Sequence, residues 1–409
     1  VQDNNKISHL FNTAISDYPE VENIPWAYSD FDKKFIEWSS KTQNYLAYEN
    51  SLLRPIQNQL NNKLHCDSTQ KRLQQYLNDK SNYLKSFEKL LKPFIDKKQA
   101  IVTLDKQNIL SYQDLIFRDW SWGKEEIDIY LDYILKNLTG TEKNILVLGA
   151  GACGLSHKLA QMSDANIIAT DINPYLFLAG QKLTNNKKIK TFEFLDSPKE
   201  LKFYSYKNEL KGAQKQENHF QVFCDFFDLP FKPKSFDTII SCWFYDILPT
   251  DLEDSILHSN CYLNDTGKNI FIGPQNFHKS QISKQLTPIE IIERFEKYYA
   301  EVSSEKIEMN YLKNPKNSAF RFETILFSTS SKPLEEKKYI SNNSEQITLT
   351  TELLTFKQKI EVFNRILKYV DKDMSYKDLA SKIKNEFGFT DEESLFYAES
   401  FIQKILSEV

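Results

Sequence analysis

Glycine, proline and methionine are scarce in this 409-residue chain, at 10, 13 and 3 residues. So few glycines and prolines exclude a collagen-like or low-complexity protein. The five cysteines (Cys66, Cys153, Cys224, Cys242, Cys261) are odd in number and contain no CxxC pair. Reduced thiols are the simplest reading, in place of a disulfide framework or a thiolate metal site. The histidines show no paired spacing, so no metal is expected. No apolar run approaches the roughly 18 residues of a spanning helix, and no secretory signal opens the chain. A cytoplasmic protein without a membrane partner is the expectation. Charge excess is missing too: a formal net charge of −4 does not favour nucleic acid. Aromatic residues, by contrast, are abundant, with 29 Phe and 21 Tyr. That composition suits an ordered, helix-rich protein, and the length allows two or three domains.

One stretch organises the rest. Leu146-Val147-Leu148 is an apolar run that empties into Gly149-Ala150-Gly151-Ala152-Cys153-Gly154, a Gly-x-Gly-x-x-Gly loop. Glycines at that spacing permit a tight turn and bring backbone N–H groups close to a ligand. The pattern alone fits a nicotinamide or flavin cofactor as well as S-adenosylmethionine. The next run, Ala165 to Asp171, ends in an acid that can accept hydrogen bonds from both ribose hydroxyls of an adenosine. The expectation is an S-adenosylmethionine-dependent methyltransferase core.

Around that core the chain divides into an N-terminal helical cap region (1–140), the core (141–333), a charged linker (334–346) and a small helical C-terminal domain (347–409). In the cap region Leu73, Leu77, Leu84, Phe87 and Leu91 recur at helical spacing. Trp26, Phe31, Phe35 and Trp38 suggest a second amphipathic helix. This region is either a packing cap or a substrate lid. From 144 to about 330, strand and helix alternate as in an α/β protein with a doubly wound, seven-stranded Rossmann-like sheet. The Lys-rich stretch 185–218 has no clear period and reads as a surface insertion. Strands are predicted at 220–227, 236–242, 269–274, 306–311 and 321–328. Ser375-x-x-Asp378 and Thr390-x-x-Glu393 resemble capping boxes in the tail, and Phe356, Ile360, Phe363, Leu367 and Val370 form an apolar stripe.

In an open α/β sheet, chemistry sits at the carboxyl ends of the strands. The candidates fall there. Gly149, Gly151 and Gly154 follow the first strand and Asp171 the second. Asp225 would take an adenine amino group while Phe226 packs on the ring. Asp246 follows Trp243-Phe244-Tyr245, among aromatics that make a carboxylate costly unless a donor satisfies it. His278, two residues after Asn276, would face the same cleft, as a structural residue or a functional one. Arg118, in Arg118-Asp119-Trp120-Ser121, could hold the methionyl carboxylate through a bidentate contact; otherwise it is an ordinary pair with Asp119.

These blocks, with Phe236-Asp237, Cys242 to Asp246, and Gly273-Pro274-Gln275-Asn276-Phe277-His278, resemble the carnosine N-methyltransferase family over roughly residues 80–333. The resemblance implies cofactor contacts at Arg118, Gly149, Gly151, Asp225, Phe226 and Cys242. It implies that Asp246 holds a substrate imidazole and that His278 lies at the substrate, with Trp243 and Tyr245 lining that side. Where the family places tyrosines before its last strand, this chain has Phe320-Arg321-Phe322, and Arg321 would have to hold the substrate's polar end. The C-terminal domain has no counterpart in the family core. Those departures weaken carnosine itself more than they weaken an imidazole. The expected acceptor is therefore an imidazole nitrogen of a histidine-containing small molecule or peptide, with peptide docking on the C-terminal domain as one use for it. The alternatives are another nitrogen or oxygen acceptor, or a non-catalytic cofactor-binding partner protein.

Overall fold

In the computed structural model, residues 4–63, 65–95, 109–110, 112–274, 277 and 285–333 are described, with 376–387, 391, 394 and 398 near the C-terminus. Two units divide the chain, Val1–Leu334 and Glu335–Val409. The first begins with short extended pieces. β1 (Glu20–Val21) and β2 (Ile24–Pro25) form a hairpin whose two loop residues, Glu22 and Asn23, both take positive φ. That is the twist a two-residue hairpin turn demands. Trp26 follows this hairpin in extended backbone and bridges to Phe223, which corrects its expected place on a helix. The helix starts only at Phe31, because Asp30 caps it by accepting the Lys33 N–H at 3.0 Å.

α1 (Phe31–Asn61) and α2 (Asp67–Leu90) pack against each other, and α3 (Lys92–Ile95) follows. Leu77, Leu84 and Phe87 are buried on one face of α2, as their spacing predicts. These helices have no core to themselves. Trp26, Phe35, Leu84, Phe87 and Phe94 join one buried cluster with Ala169, Tyr175, Phe177 and Phe223 of the α/β region.

After α4 (Asp114–Phe117), residues Arg118–Trp122 form a π-turn, closed by the Gly123 N–H donating to the Arg118 carbonyl at 2.9 Å. A Cβ at Gly123 would lie 2.3 Å from Arg118 Cγ, so only glycine closes this turn. α5 (Lys124–Asn137) then leads into the sheet region, which runs β3 (Asn144–Leu148), α6 (Gly154–Met162), β4 (Asn166–Asp171) and α7 (Pro174–Thr184).

The stretch read as a surface insertion carries a β-hairpin, β5 (Ile189–Phe194) with β6 (Ser205–Leu210), outside the seven-stranded sheet, and Leu210 is buried in it. Then come β7 (His219–Phe223), β8 (Phe236–Cys242), α8 (Leu252–Asn260), β9 (Leu263–Gly273), α9 (Pro288–Tyr298), β10 (Tyr299–Tyr311) and β11 (Arg321–Pro333). α9 was not foreseen from the sequence; Thr287 and Glu290 form the capping box that opens it.

The sheet order is β10-β11-β9-β8-β3-β4-β7. β7, β4, β3, β8 and β9 run parallel, and β11 enters antiparallel between β9 and β10. This is the expected seven-stranded, Rossmann-like sheet. In the second unit α10 (Tyr376–Phe387) is described, with Leu379, Ala380 and Ile383 buried. The predicted stripe 356–370, Ser375, Thr390 and Glu393 lie outside the described residues. No described helix is long and apolar enough to cross a membrane.

The hairpin is pinned by one carboxylate. Glu193 is buried and accepts from Tyr206 Oη and Asn208 Nδ2 on its own hairpin, from Trp122 Nε1 at 3.1 Å, and from Asn314 Nδ2 at 2.6 Å. Burial pushes its carboxyl up, and those donors work against that. Glu193→Ala should strand four donors and lower the unfolding free energy by about 3 kcal/mol. A urea melt of the variant checks this; a change under 0.5 kcal/mol would mean the hairpin is held elsewhere.

Candidate functional site

From β3 the chain winds outward to β4 and β7 on one side, and β8 and β9 stack on the other. The crevice between β3 and β8, at their carboxyl ends, is therefore the place for a ligand. Its centre is the glycine loop. Gly149 and Gly151 have φ of 59° and 55°, the left-handed region that disfavours side chains. A Cβ on Gly149 would meet Phe244 Cδ2 at 2.3 Å, so that ring lies on the loop.

Asp171, at the end of β4, braces the loop from outside. Its Oδ2 accepts the Gly151 N–H and its Oδ1 the Asn173 N–H, both at 2.7 Å. Burial pushes this carboxyl up, against the pull of those N–H groups. Each oxygen keeps a lone pair for a ligand hydroxyl.

Below the loop sits a buried charge cluster. Arg118 is 8% exposed. Its Nε and Nη2 donate to Asp119 Oδ1 at 2.9 and 2.8 Å, and its Nη1 donates to Glu126 Oε1 at 3.2 Å. Asp119 Oδ2 accepts the Gly154 N–H at 2.9 Å, and Trp120 Nε1 donates to the Ala152 carbonyl at 2.8 Å. Glu126 Oε2 accepts the Leu312 N–H. Burial opposes the guanidinium charge, but the two carboxylates hold the group protonated.

Arg118 is thus no ordinary surface pair: it is a buried clamp on two acids, which engage three of its five N–H donors. Gly154 presents its N–H to Asp119, and a Cβ there would lie 2.5 Å from Asp119 Cβ. Its smallness serves that packing.

The far side of the crevice comes from the end of β8. Trp243 has a φ of 54°, a strained conformation for an aromatic residue. Its N–H donates to the Ile272 carbonyl at 2.7 Å and its Nε1 to Tyr130 Oη at 3.0 Å. Its ring stacks on Tyr311 at 3.8 Å. This sharp turn places Phe244 over Gly149 and brings Asp246 into the following single turn, Tyr245–Ile247.

Asp246 is half-buried, and its charge acts on both the Cys242 thiol and the Tyr112 hydroxyl. Burial pushes Cys242 up to about 12, so it stays a neutral thiol. Leu115 approaches the Cβ position of Gly151 at 3.5 Å, which brings the segment bearing Tyr112 to the crevice.

Tyr245 departs from its expected place at the substrate. It is fully buried, its hydroxyl bonds Ser259 and Asn269, and its ring stacks on Phe271. Arg321 sits over the Tyr311 ring at 4.3 Å and acts electrostatically on Asp114 of α4. Asp225 caps the turn after β7 by accepting the Phe227 N–H at 3.0 Å, and its Oδ2 lies 4.0 Å from Lys34 Nζ. Phe226 is buried edge-on to Phe244, with ring centroids 5.4 Å apart. His278 lies outside the described residues.

Sequence reasoning missed the places of Asp119, Glu126, Leu115 and Tyr112 at this crevice. For Asp119 the signal was its position between Arg118 and Trp120; for the others there was none. Among the described residues no His, Cys, Asp and Glu group is arranged to hold a metal ion.

No family model and no curated protein matches this sequence. Solved structures with a partial likeness include Haemonchus contortus phosphoethanolamine N-methyltransferase 2 with phosphomonomethylethanolamine and S-adenosylhomocysteine. It is 14% identical, with 57% of this chain and 61% of that one covered, at a TM-score of 0.38. This chain thus spans less than two thirds of that enzyme. Another is magnesium protoporphyrin IX methyltransferase from Synechocystis PCC 6803 with bound S-adenosylmethionine, 14% identical over 65% and 98% of the two chains, at a TM-score of 0.33.

The clamp makes its own prediction. Arg118→Met would leave Asp119 and Glu126 buried without their cation and should cost about 3–5 kcal/mol of stability in the unliganded protein. Chemical denaturation without ligand measures it. An unchanged midpoint would mean that Arg118 is not structural.

Proposed function

We propose that this protein is an S-adenosylmethionine-dependent methyltransferase acting on an imidazole nitrogen of a histidine-containing small molecule or peptide. The observation that carries the reading is the meeting of two features on one crevice: the glycine loop braced by Asp171, and the half-buried Asp246 carried in on the turn that lays Phe244 over Gly149. The residues present fit the cofactor. Gly149 and Gly151 keep side chains out of the loop, Asp171 retains acceptor capacity at the ribose position, and Asp225 and Phe226 stand at the adenine end. A phenol from the N-terminal segment, Tyr28 Oη, is buried near both acids without a hydrogen-bond partner. Those groups, with Cys242 as a neutral neighbour, would hold S-adenosylmethionine. When bound, it supplies an electrophilic methyl group on a sulfonium.

The chain's own part is orientation and dryness. Asp246 accepts one ring N–H of the imidazole, which fixes the tautomer and leaves the other nitrogen with its lone pair facing the methyl position. As the ring gains charge on methylation, the carboxylate stabilises it and then takes up the N–H proton. Phe244, Phe226 and Trp243 keep water from competing for the same space. The resemblance of Cys242-Trp243-Phe244-Tyr245-Asp246 to the carnosine N-methyltransferase family supports the choice of an imidazole; Phe320-Arg321-Phe322 leaves the remainder of the acceptor unlike carnosine.

A metabolite and peptide extract incubated with the protein and methyl-labelled S-adenosylmethionine should yield a labelled N-methylimidazole by mass spectrometry. Asp246→Asn should bind S-adenosylhomocysteine within about twofold of wild type yet lose about 10²-fold or more in turnover. Unchanged turnover in that variant would remove Asp246 from its role. A labelled product lacking an imidazole would replace the acceptor.

A further inference from the structure

The N-terminal segment reaches the crevice by a route that its helices hide. Residues Trp26 to Ser29 run along the end of β7. Trp26 bridges to Phe223, the Ala27 N–H donates to the Phe223 carbonyl at 2.7 Å, and the Ser29 N–H donates to Asp228 Oδ2 at 3.0 Å. The Trp26 ring lies 4.2 Å from that of Phe223 and 5.7 Å from that of Tyr28. The backbone on either side of Tyr28 is thus tied to β7 and to the turn after it, which Asp225 caps.

We infer that Tyr28 is a nucleoside-contacting residue, its hydroxyl donating to a ribose hydroxyl of the bound cofactor at the point where Asp171 and Asp225 face one ligand. This rests on the cofactor reading of the crevice given above. Three observations support it. Tyr28 is 6% exposed, yet its hydroxyl, which no solvent reaches, has no hydrogen-bond partner. Buried hydroxyls are rarely left so, because desolvation is not offset. Asp225, Asp171 and Glu37 act on it electrostatically, beside the Cys224 thiol, so it stands among the acids at the ends of β4 and β7. Burial first, then Cys224 and those acids, keep the phenol protonated, hence a donor among acceptors.

A ribose hydroxyl satisfies both sides at once, accepting from the phenol while it donates to Asp171. Neither acid takes the phenol proton in this geometry. Asp171 accepts the Gly151 and Asn173 amides, and Asp225 accepts the Phe227 amide. A ligand hydroxyl is the group that closes the chain.

The test is Tyr28→Phe, which removes one oxygen and keeps the ring. Titration calorimetry with S-adenosylhomocysteine should show affinity about three- to tenfold weaker than wild type. The melting temperature of the unliganded variant should stay level or rise, because an unsatisfied polar atom has gone. A purely structural tyrosine would give the opposite pattern, a lower unliganded melting temperature with unchanged affinity, and that result overturns the inference. Equal affinity with equal melting temperature overturns it too. If wild-type protein does not bind S-adenosylhomocysteine at all, the cofactor reading fails and takes this inference with it.

Discussion

The crevice depends on one buried arrangement of charge, Arg118 held between Asp119 and Glu126. Asp119 passes that constraint to the amide that opens α6, and Glu126 passes it to Leu312, just beyond β10. A single guanidinium therefore ties three pieces of chain that meet only in the folded protein. Taking these groups out of water is expensive, and such pairs add little net stability over well-packed apolar residues. What the arrangement secures is shape. The glycine loop has backbone angles that an isolated chain would not keep, and Asp119, Trp120 and Asp171 restrain it from two sides. A π-turn is the means, because its extra residue places Arg118, Asp119 and Trp120 against the loop together.

Much of this architecture was legible in the sequence where local pattern and tertiary role agree. Leu146 to Gly154, Ala165 to Asp171 and Phe236 to Cys242 are apolar runs ending in chemistry, and they sit side by side as β3, β4 and β8. The pattern failed where a polar residue does a buried residue's work. Glu193 interrupts an otherwise readable strand, and without its four donors in view 185–218 shows no strand period. It failed again at Trp26, whose spacing to Phe31, Phe35 and Trp38 suits a helix. Asp30 sets the helix start, and the aromatic spacing before it reflects packing against Phe223.

The site was legible by position and less so by role. Strand ends identified Gly149, Gly151, Asp171, Asp225 and Asp246, since topology alone brings them to one edge. Roles need partners, and partners come from elsewhere in the chain. Arg118 read as a ligand for a carboxylate or as a surface pair with Asp119, and its burial was hidden because Glu126 was only one more acid on a helix. Tyr245 read as lining the substrate because it adjoins Asp246, yet a single tight turn sends the two side chains to opposite environments. Tyr28 and Tyr112 had no local mark at all.

The helical region before residue 140 is thereby more than cover. Its aromatic residues merge with the α7 and β7 core in one buried cluster. Leu115 lies against Gly151, and Asp246 acts on Tyr112 as Asp171 and Asp225 act on Tyr28. A glycine loop alone discriminates little between adenosine-bearing ligands; selectivity has to come from side chains around it. Here those side chains are held by backbone pairing to the last parallel strand and by the buried charge cluster, both set before a ligand arrives. Preorganisation of that kind reduces the ordering that binding must supply. The abundant aromatic residues serve the same framework as rigid rings with at most one polar atom, and Trp26, Phe94, Phe177 and Phe223 are among those in the shared core.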